Sequence, residues 1–511
     1  MMLESPATRA SARPPAAEPH GLAPRIGLLL GPLLLLIVLL LPPPAGMEVL
    51  AWRTTGVGLL MASWWVSEAI PIPATSLLPL VLFPLLGVAT IDAAASPYAN
   101  PLIFLFMGGF MLALAMQRWN LHRRIALRII AALGTRPVSL VAGFMTASAF
   151  LSMWVSNTAT TLMMLPIGLS VIELVIHRSD RPDRAPGESN FGVSLMLGIA
   201  YACSIGGLGT LIGTPPNALL AGFVRETYGV EIGFAQWMMV GVPLVVVALP
   251  LTWLLLTRLL YPIRMAEIPG GGEIIARERQ SLGSPSRAEK IVAIVFTLTA
   301  AAWIFRPLLE ARGLVLSDAG IAIAGALALF LIPIDLRRGE FVLNWEWAQR
   351  LPWGVLILFG GGLSLASAIS RTGLAGWIGG EIAGLGALPL VVVMLAVTTV
   401  IVFLTELTSN TATAAAFLPV VSSVAIGLGE NPLLLAIPAA LAASCAFMMP
   451  VATPPNAIVY GSGYLTIPQM ARAGVVLNLL LIVLITALAY TLVLVAFGVT
   501  PGVLPPWATG K

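Results

Sequence analysis

The pentapeptide SNTAT occurs at Ser156–Thr160 and again at Ser409–Thr413, and each copy is followed by a polar Pro-Pro stretch, GTPPNA at Gly213–Ala218 and ATPPNA at Ala452–Ala457. Serine, threonine and asparagine offer short neutral oxygens and amide donors without an ionised side chain. Inside a hydrocarbon core, an unsatisfied backbone polar group costs several kcal/mol. A helix broken there by such residues therefore needs a cavity or a bound ion beside it. The half-helix that ends at a break exposes carbonyls, which suit an alkali cation. The half-helix that begins there exposes N–H groups at the positive end of its dipole, which suit an anion. Proline removes further donors and sets the place of the break, freeing carbonyls near Gly213 and Ala452 beside Thr214, Asn217, Thr453 and Asn456. Two such tips meeting would make one anion site flanked by two cation sites.

The elements that carry these tips are apolar. Of the 511 residues, 58 % are hydrophobic and 10 % charged, with a mean hydropathy of +0.95. Soluble domains average about 25 % charged. Apolar runs near the 20 residues of a spanning helix recur from 26 to 498. The reading is an all-α polytopic membrane protein. Helices are expected near 26–42, 48–67, 72–89, 98–117, 191–227, 236–261, 290–309, 318–335, 352–370, 432–462 and 473–497. The stretch 118–136, with Leu121, Ile125 and Ile129 on one face and Arg123 and Arg124 pointing elsewhere, reads as an amphipathic interfacial helix. A second interfacial or loop segment is expected at 372–387.

The apolar stretches 138–176 and 388–428 are each interrupted by SNTAT and read as re-entrant hairpins. LFMGGFMLALA at Leu105 and LFGGGLSLASA at Leu358 lie 253 residues apart, as do the SNTAT copies at Ser156 and Ser409; the TPPNA copies at Thr214 and Thr453 lie 239 apart. The basic loop 177–190, absent from the second half, accounts for the slip. This is an internal repeat. Most of the 27 Lys and Arg cluster in loops that the positive-inside rule places in the cytoplasm. On that rule the first hairpin's flanks are cytoplasmic and the second's external, so the repeats are inverted. Inverted repeats with broken helices are the plan of secondary transporters.

The chain divides into a disordered cytoplasmic N-terminus (1–25), the first repeat's helices 1–4 with the interfacial helix (26–137), and its hairpin with helices 5 and 6 (138–262). A cytoplasmic linker (263–289) leads to helices 7–9 and the second interfacial segment (290–387). The second hairpin with helices 10 and 11 (388–498) precedes an extracytoplasmic C-terminus (499–511). The glycines near Gly108 and Gly360 read as close helix packing. Glu406, whose repeat position is Met153, reads as a structural hydrogen bonder, and Glu68 as a buried turn anchor.

The doubled SNT and TPPN motifs, together with FLSMWVSNTAT, resemble the divalent anion/sodium symporter family, the INDY-like di- and tricarboxylate transporters, over nearly the whole chain. The resemblance implies about eleven transmembrane helices, two re-entrant hairpins, and a homodimer working by an elevator motion. It implies that Ser152, Ser156, Asn157 and the Gly213 carbonyl hold one sodium ion. Thr405, Ser409, Asn410 and the Ala452 carbonyl hold the other. The substrate carboxylates would meet Asn157, Thr158, Asn410 and Thr411, with Thr214, Pro215, Thr453 and Pro454 nearby. Thr214 stands where the family also uses serine.

The expected function is sodium-coupled import of C4-type dicarboxylates such as succinate, malate and fumarate across the cytoplasmic membrane. A sodium-independent dicarboxylate exchanger and a symporter for citrate or sulfate are the alternatives. Sodium is the coupling ion and no cofactor is expected. The three histidines, His20, His122 and His177, and the two cysteines, Cys203 and Cys445, form no metal-binding or nucleophile–base pattern. No enzyme and no nucleic-acid partner is expected. The partners are the dicarboxylate, sodium, the bilayer and a second copy of the chain.

Overall fold

A chain this apolar satisfies its backbone through helices, and the computed structural model is helical almost throughout. It describes residues 22–177, 190–265, 271–383 and 388–508. The expected disorder before residue 22, most of the basic loop 177–190, part of the linker and the last three residues lie outside that set. Among the described residues, eight helices are long and apolar enough to cross a bilayer unaided. Shorter apolar helices, among them Pro137–Ser152, Leu390–Thr405 and Leu433–Ala443, complete the bundle.

The two halves share one element order. The hairpin legs Pro137–Ser152 and Asn157–His177 recur as Leu390–Thr405 and Asn410–Gly427. The broken helix Asn190–Gly207/Pro215–Tyr228 recurs as Leu433–Ala443/Pro454–Tyr460. Packing between the halves is reciprocal. Pro215–Tyr228 lies on the second hairpin's return leg, and Pro454–Tyr460 lies on the first hairpin's. Pro101–Arg118 packs on Asp318–Leu331 of the other half, so closely that a Cβ on Gly108 would sit 2.6 Å from the Ala322 backbone. At the register-equivalent position, a Cβ on Gly361 would sit 2.2 Å from the Ser76 carbonyl. Small residues at these crossings let backbones approach where lipid supplies no hydrophobic drive.

Hydrogen bonds at the helix ends sort the molecule into two faces. On one, Arg118 and Trp119 donate to the carbonyls of Phe341 and Val342, and Arg124 donates to Leu282, Gly283 and Glu289. On the other, Trp303 donates to the Asp318 carbonyl, Phe234 N–H to the Asp318 carboxylate, and Asn100 to Glu226. Pro101–Arg118, Arg287–Ile304 and Asp318–Leu331 each run from one face to the other. Trp353–Arg371 starts on the first face, so Leu374–Ala383 and the second hairpin's base lie on the second. The first hairpin rises from the interfacial helix Leu121–Leu133, on the first face. The repeats are inverted.

Local structure departs from the sequence reading in several places. The helix expected at 72–89 is two pieces, Ile72–Thr75 and Leu78–Leu85. The helix expected to reach 335 stops at Leu331, because Pro333 opens a short antiparallel pair, Pro333–Asp335 with Glu340–Phe341. The last helix begins at Ile467 behind a Thr466–Gln469 capping box and runs 31 residues. Phe305 ends the helix expected to continue to 309. Arg124, expected to face away from its packed neighbours, is buried at 9 % exposure, since Glu289 and two linker carbonyls receive its guanidinium. Glu68, expected as a buried anchor, closes Val49–Ser67 in the left-handed conformation (φ 50°), with its side chain exposed.

Candidate functional site

The two polar tips meet. One cavity of about 940 Å³ is lined by Ser156, Asn157 and Thr158 from the first hairpin and by Ser409, Asn410 and Thr411 from the second. The two breaks add Gly213, Thr214, Pro215, Ala452, Thr453 and Pro454. Ser152 and Thr405 are fully buried behind the tips. The structure thus brings together the tip and break residues named from the sequence, Ser152 and Thr405 one layer back from the surface, while Asn217 and Asn456 stand outside the lining.

Four helices begin at this cavity, at Asn157, Pro215, Asn410 and Pro454. Their positive ends converge on it, and no ionised side chain is among the lining residues at the tips. Four others end beside it, at Ser152, Gly207, Thr405 and Ala443, leaving terminal carbonyls. The lining's only described charges, Glu68 and Arg350, stand at the mouth with Gln117 and Pro352. That mouth is on the face of Arg118 and Arg124.

Each asparagine is held the same way. Ser152 Oγ donates to Asn157 Oδ1 at 2.5 Å, and Thr405 Oγ1 donates to Asn410 Oδ1 at 2.8 Å. That contact fixes which way each carboxamide turns. The Asn157 carboxamide and the Gly213 carbonyl also converge, across a gap that only glycine leaves open. A Cβ on Gly207 would lie 3.0 Å from Asn157 Oδ1 and 3.1 Å from the Gly213 oxygen. For the sodium ion that the family resemblance implies at Asn157 and the Gly213 carbonyl, Gly207→Ala should raise the half-saturating concentration about tenfold, which is about 1.4 kcal/mol, with little change in folding. Sodium-dependent thermal stabilisation of the purified protein measures it.

The Pro-Pro pairs do not end the preceding helices. Those stop earlier, at Gly207 and Ala443, and the prolines open the next ones, where a missing N–H costs nothing. Asn217 and Asn456, offered by the sequence as groups beside the site, instead brace the irregular backbone. Asn217 Nδ2 donates to the carbonyls of Gly207 and Thr210, and Asn456 Nδ2 donates to those of Ala446 and Met449. These partners match under the 239-residue shift.

Two features break the symmetry. Glu406 accepts from the N–H groups of Phe447, Met448 and Met449 at 2.6–3.2 Å and from Asn478 at 2.7 Å. The carboxylate thus caps the second break, as read from the sequence; Asn478 gave no signal there. The second feature is exposure. Trp154 and Ile212 of the first half are buried at 9 % and 6 %, with Trp154 against Phe234 and Phe296. Their register equivalents, Leu407 and Val451, are exposed at 75 % and 82 % and line the cavity. At these positions the first half is packed and the second stands open, although Ile212 also lines the cavity. Ser444, which meets Thr214 Oγ1 at 3.3 Å, also went unread, because that contact joins positions 230 residues apart.

The family model described as the sodium:sulfate symporter transmembrane region matches residues 25–497. A sodium-dependent dicarboxylate transporter of Staphylococcus saprophyticus is 45 % identical over 478 residues, 93 % of this chain and 92 % of that protein. A protein of the same description from Staphylococcus aureus (strain USA300) is 44 % identical over 486 residues, 94 % of each chain. Two solved structures share the fold at low identity. The YdaH transporter of Alcanivorax borkumensis has a TM-score of 0.56 and 14 % identity, covering 94 % of this chain and 99 % of that one. MtrF of Neisseria gonorrhoeae, described among antimetabolite efflux pumps, has a TM-score of 0.59 and 12 % identity, covering 96 % and 98 %.

Proposed function

The chain belongs to the sodium:sulfate symporter family, the divalent anion/sodium symporters, and from that premise we propose that it is a sodium-coupled symporter importing C4-type dicarboxylates across the cytoplasmic membrane. The observation that carries this reading is the meeting of two inverted SNT tips in one cavity with no ionised side chain between them. A dianion entering a neutral pocket loses hydration that helix ends and amides only partly replace. Cations carried in with it offset the remaining charge. An excess of sodium over the two negative charges makes the cycle electrogenic.

In this reading, Ser152, Ser156, Asn157 and the Gly213 carbonyl hold one sodium, and Thr405, Ser409, Asn410 and the Ala452 carbonyl hold the other. The carboxamides of Asn157 and Asn410 then serve two ligands at once. Their oxygens face the ions, and their N–H groups face the carboxylates with Thr158 and Thr411. Thr214, Pro215, Thr453 and Pro454 shape the walls. Sodium binding orders the tips before the dianion arrives, and that order of binding is the coupling.

The arginine-rich face, with Arg118, Arg123, Arg124, Arg128, Arg337 and Arg338, is the cytoplasmic one by the positive-inside rule. The N-terminus is then cytoplasmic, the C-terminus extracytoplasmic, and the cavity opens inward. The homodimer and the elevator displacement of hairpins and broken helices rest on the family resemblance.

Uptake of labelled succinate into proteoliposomes should rise steeply with an inward sodium gradient and fall to background when choline replaces sodium. Equal uptake in the two salts would leave an exchanger and remove the coupling.

A further inference from the structure

We propose that a groove on the arginine-rich face holds the phosphate of an anionic phospholipid. The groove, of about 500 Å³, lies between the interfacial helix Leu121–Leu133 and the linker helix Gly271–Ser281. Arg124 and Arg128 line it from the first helix, and Arg279 and Gln280 from the second. No acidic side chain is among the described lining residues. The acids close by are already engaged. Glu278 pairs with Arg123, and Glu289 pairs with Arg124, whose guanidinium also donates to the Leu282 and Gly283 carbonyls. Arg128 and Arg279 are exposed, and neither has an ion pair or a side-chain hydrogen bond among the described residues. Two guanidinium groups from two elements thus line one groove with their charge unpaired.

The donor fork of arginine matches the oxygens of a phosphate. The interfacial helix says why that phosphate belongs to a lipid. Ile125, Ile129 and Leu133 stand in an i, i+4, i+8 row, and Arg128 and Ala132 form the row beside it. Ala132 and Leu133 are exposed, and Ile125 and Ile129 are half-buried. Arg128 therefore stands at the border where an uncovered apolar stripe meets the basic groove. A molecule with a phosphate in the groove and hydrocarbon along the stripe covers both surfaces. A free phosphate covers the arginines and leaves the stripe bare. Helices lying in the membrane interface offer this pair of surfaces to lipid, and basic pockets at that depth take anionic headgroups. The bound phosphate would also join two elements. Leu121–Leu133 leads into the first hairpin at Pro137, and Gly271–Ser281 belongs to the linker between the halves. Arg123 with Glu278 and Arg124 with Glu289 already tie the first helix to that linker. A phosphate between Arg128 and Arg279 supplies a third tie.

The test reads stability and not transport, so it stands apart from the sodium-coupled reading. Thermal unfolding of the purified full chain is followed in mixed micelles of neutral detergent with increasing phosphatidylglycerol, and with phosphatidylcholine for comparison. Phosphatidylglycerol should raise the melting temperature of the wild type, and phosphatidylcholine should not. Arg128→Gln and Arg279→Gln each remove one charged donor set and should raise the half-saturating mole fraction of phosphatidylglycerol roughly tenfold. Both side chains are exposed and unpaired among the described residues, so both variants should fold. Arg277 is the control: it is exposed on the same linker helix but does not line the groove. Arg277→Gln should bind phosphatidylglycerol like the wild type. A loss in Arg277→Gln as large as in the other two would assign the effect to the diffuse charge of this face and overturn the site. Equal melting temperatures in the two lipids would overturn it as well. Inorganic phosphate that stabilises the wild type as much as phosphatidylglycerol would make the groove a site for a soluble anion and remove the lipid.

Discussion

Replacing Asn157 or Asn410 with alanine should abolish sodium-driven succinate accumulation while leaving a folded protein. Each carboxamide oxygen accepts a hydroxyl from one layer back, from Ser152 or Thr405, and each asparagine lines the cavity. In the proposed assignment, alanine removes an ion ligand and a charge-assisted donor together. A hydrogen bond to a charged group is worth about 1.5–3 kcal/mol, so losing one donor alone weakens substrate binding roughly 10- to 100-fold. Losing the ion ligand multiplies that. Because the tips are pinned independently by Ser152 and Thr405, the two single variants should fail to a similar degree. Sodium-dependent binding of labelled succinate to each purified variant measures the effect. An Asn157→Ala protein that binds succinate like wild type would remove the tips from the site.

Glu406→Ala should destabilise the protein by roughly 3–5 kcal/mol, the range for unpairing a buried charge network. The carboxylate receives three consecutive backbone N–H groups and the Asn478 amide, and all of these lose their acceptor at once. Glu406→Gln is the sharper variant. It keeps one carbonyl oxygen but turns an amide group toward backbone N–H donors, so its loss should be about half as large. Thermal unfolding in detergent ranks wild type, glutamine and alanine in that order. A glutamine variant as stable as wild type but unable to accumulate substrate would reassign Glu406 from capping to coupling.

Much of this architecture was legible because duplication makes sequence self-annotating. The 253-residue register of the SNTAT copies matches the hairpin legs residue for residue, with Pro137–Ser152 against Leu390–Thr405. Polar breaks in long apolar runs located both tips, and the basic clusters gave the inversion. What escaped was set by partners distant in sequence. Arg124 is buried because Glu289 and two linker carbonyls lie across from it, which no periodicity within 121–133 records. The prolines signalled a break but not its length, since seven irregular residues, 208–214, precede the first pair. The strand pair after Leu331 was hidden by its brevity, two short strands read as a helix end. Gly207 gave no motif at all, and its importance appears only where Asn157 and Gly213 close around it.

The mirrored tips make the receptor nearly palindromic. Asn157 with Thr158 on one side faces Asn410 with Thr411 on the other, each braced by the same hydroxyl-to-carboxamide contact. A solute with identical ends, such as succinate or fumarate, can lie in this receptor either way round and be read alike. Two equivalent poses add RT ln 2, about 0.4 kcal/mol, to its binding. A solute with unlike ends, such as malate, forgoes that degeneracy and must choose a direction. That choice falls to the few places where the halves differ, chief among them Thr214 with its Ser444 neighbour, which the opposite break does not reproduce.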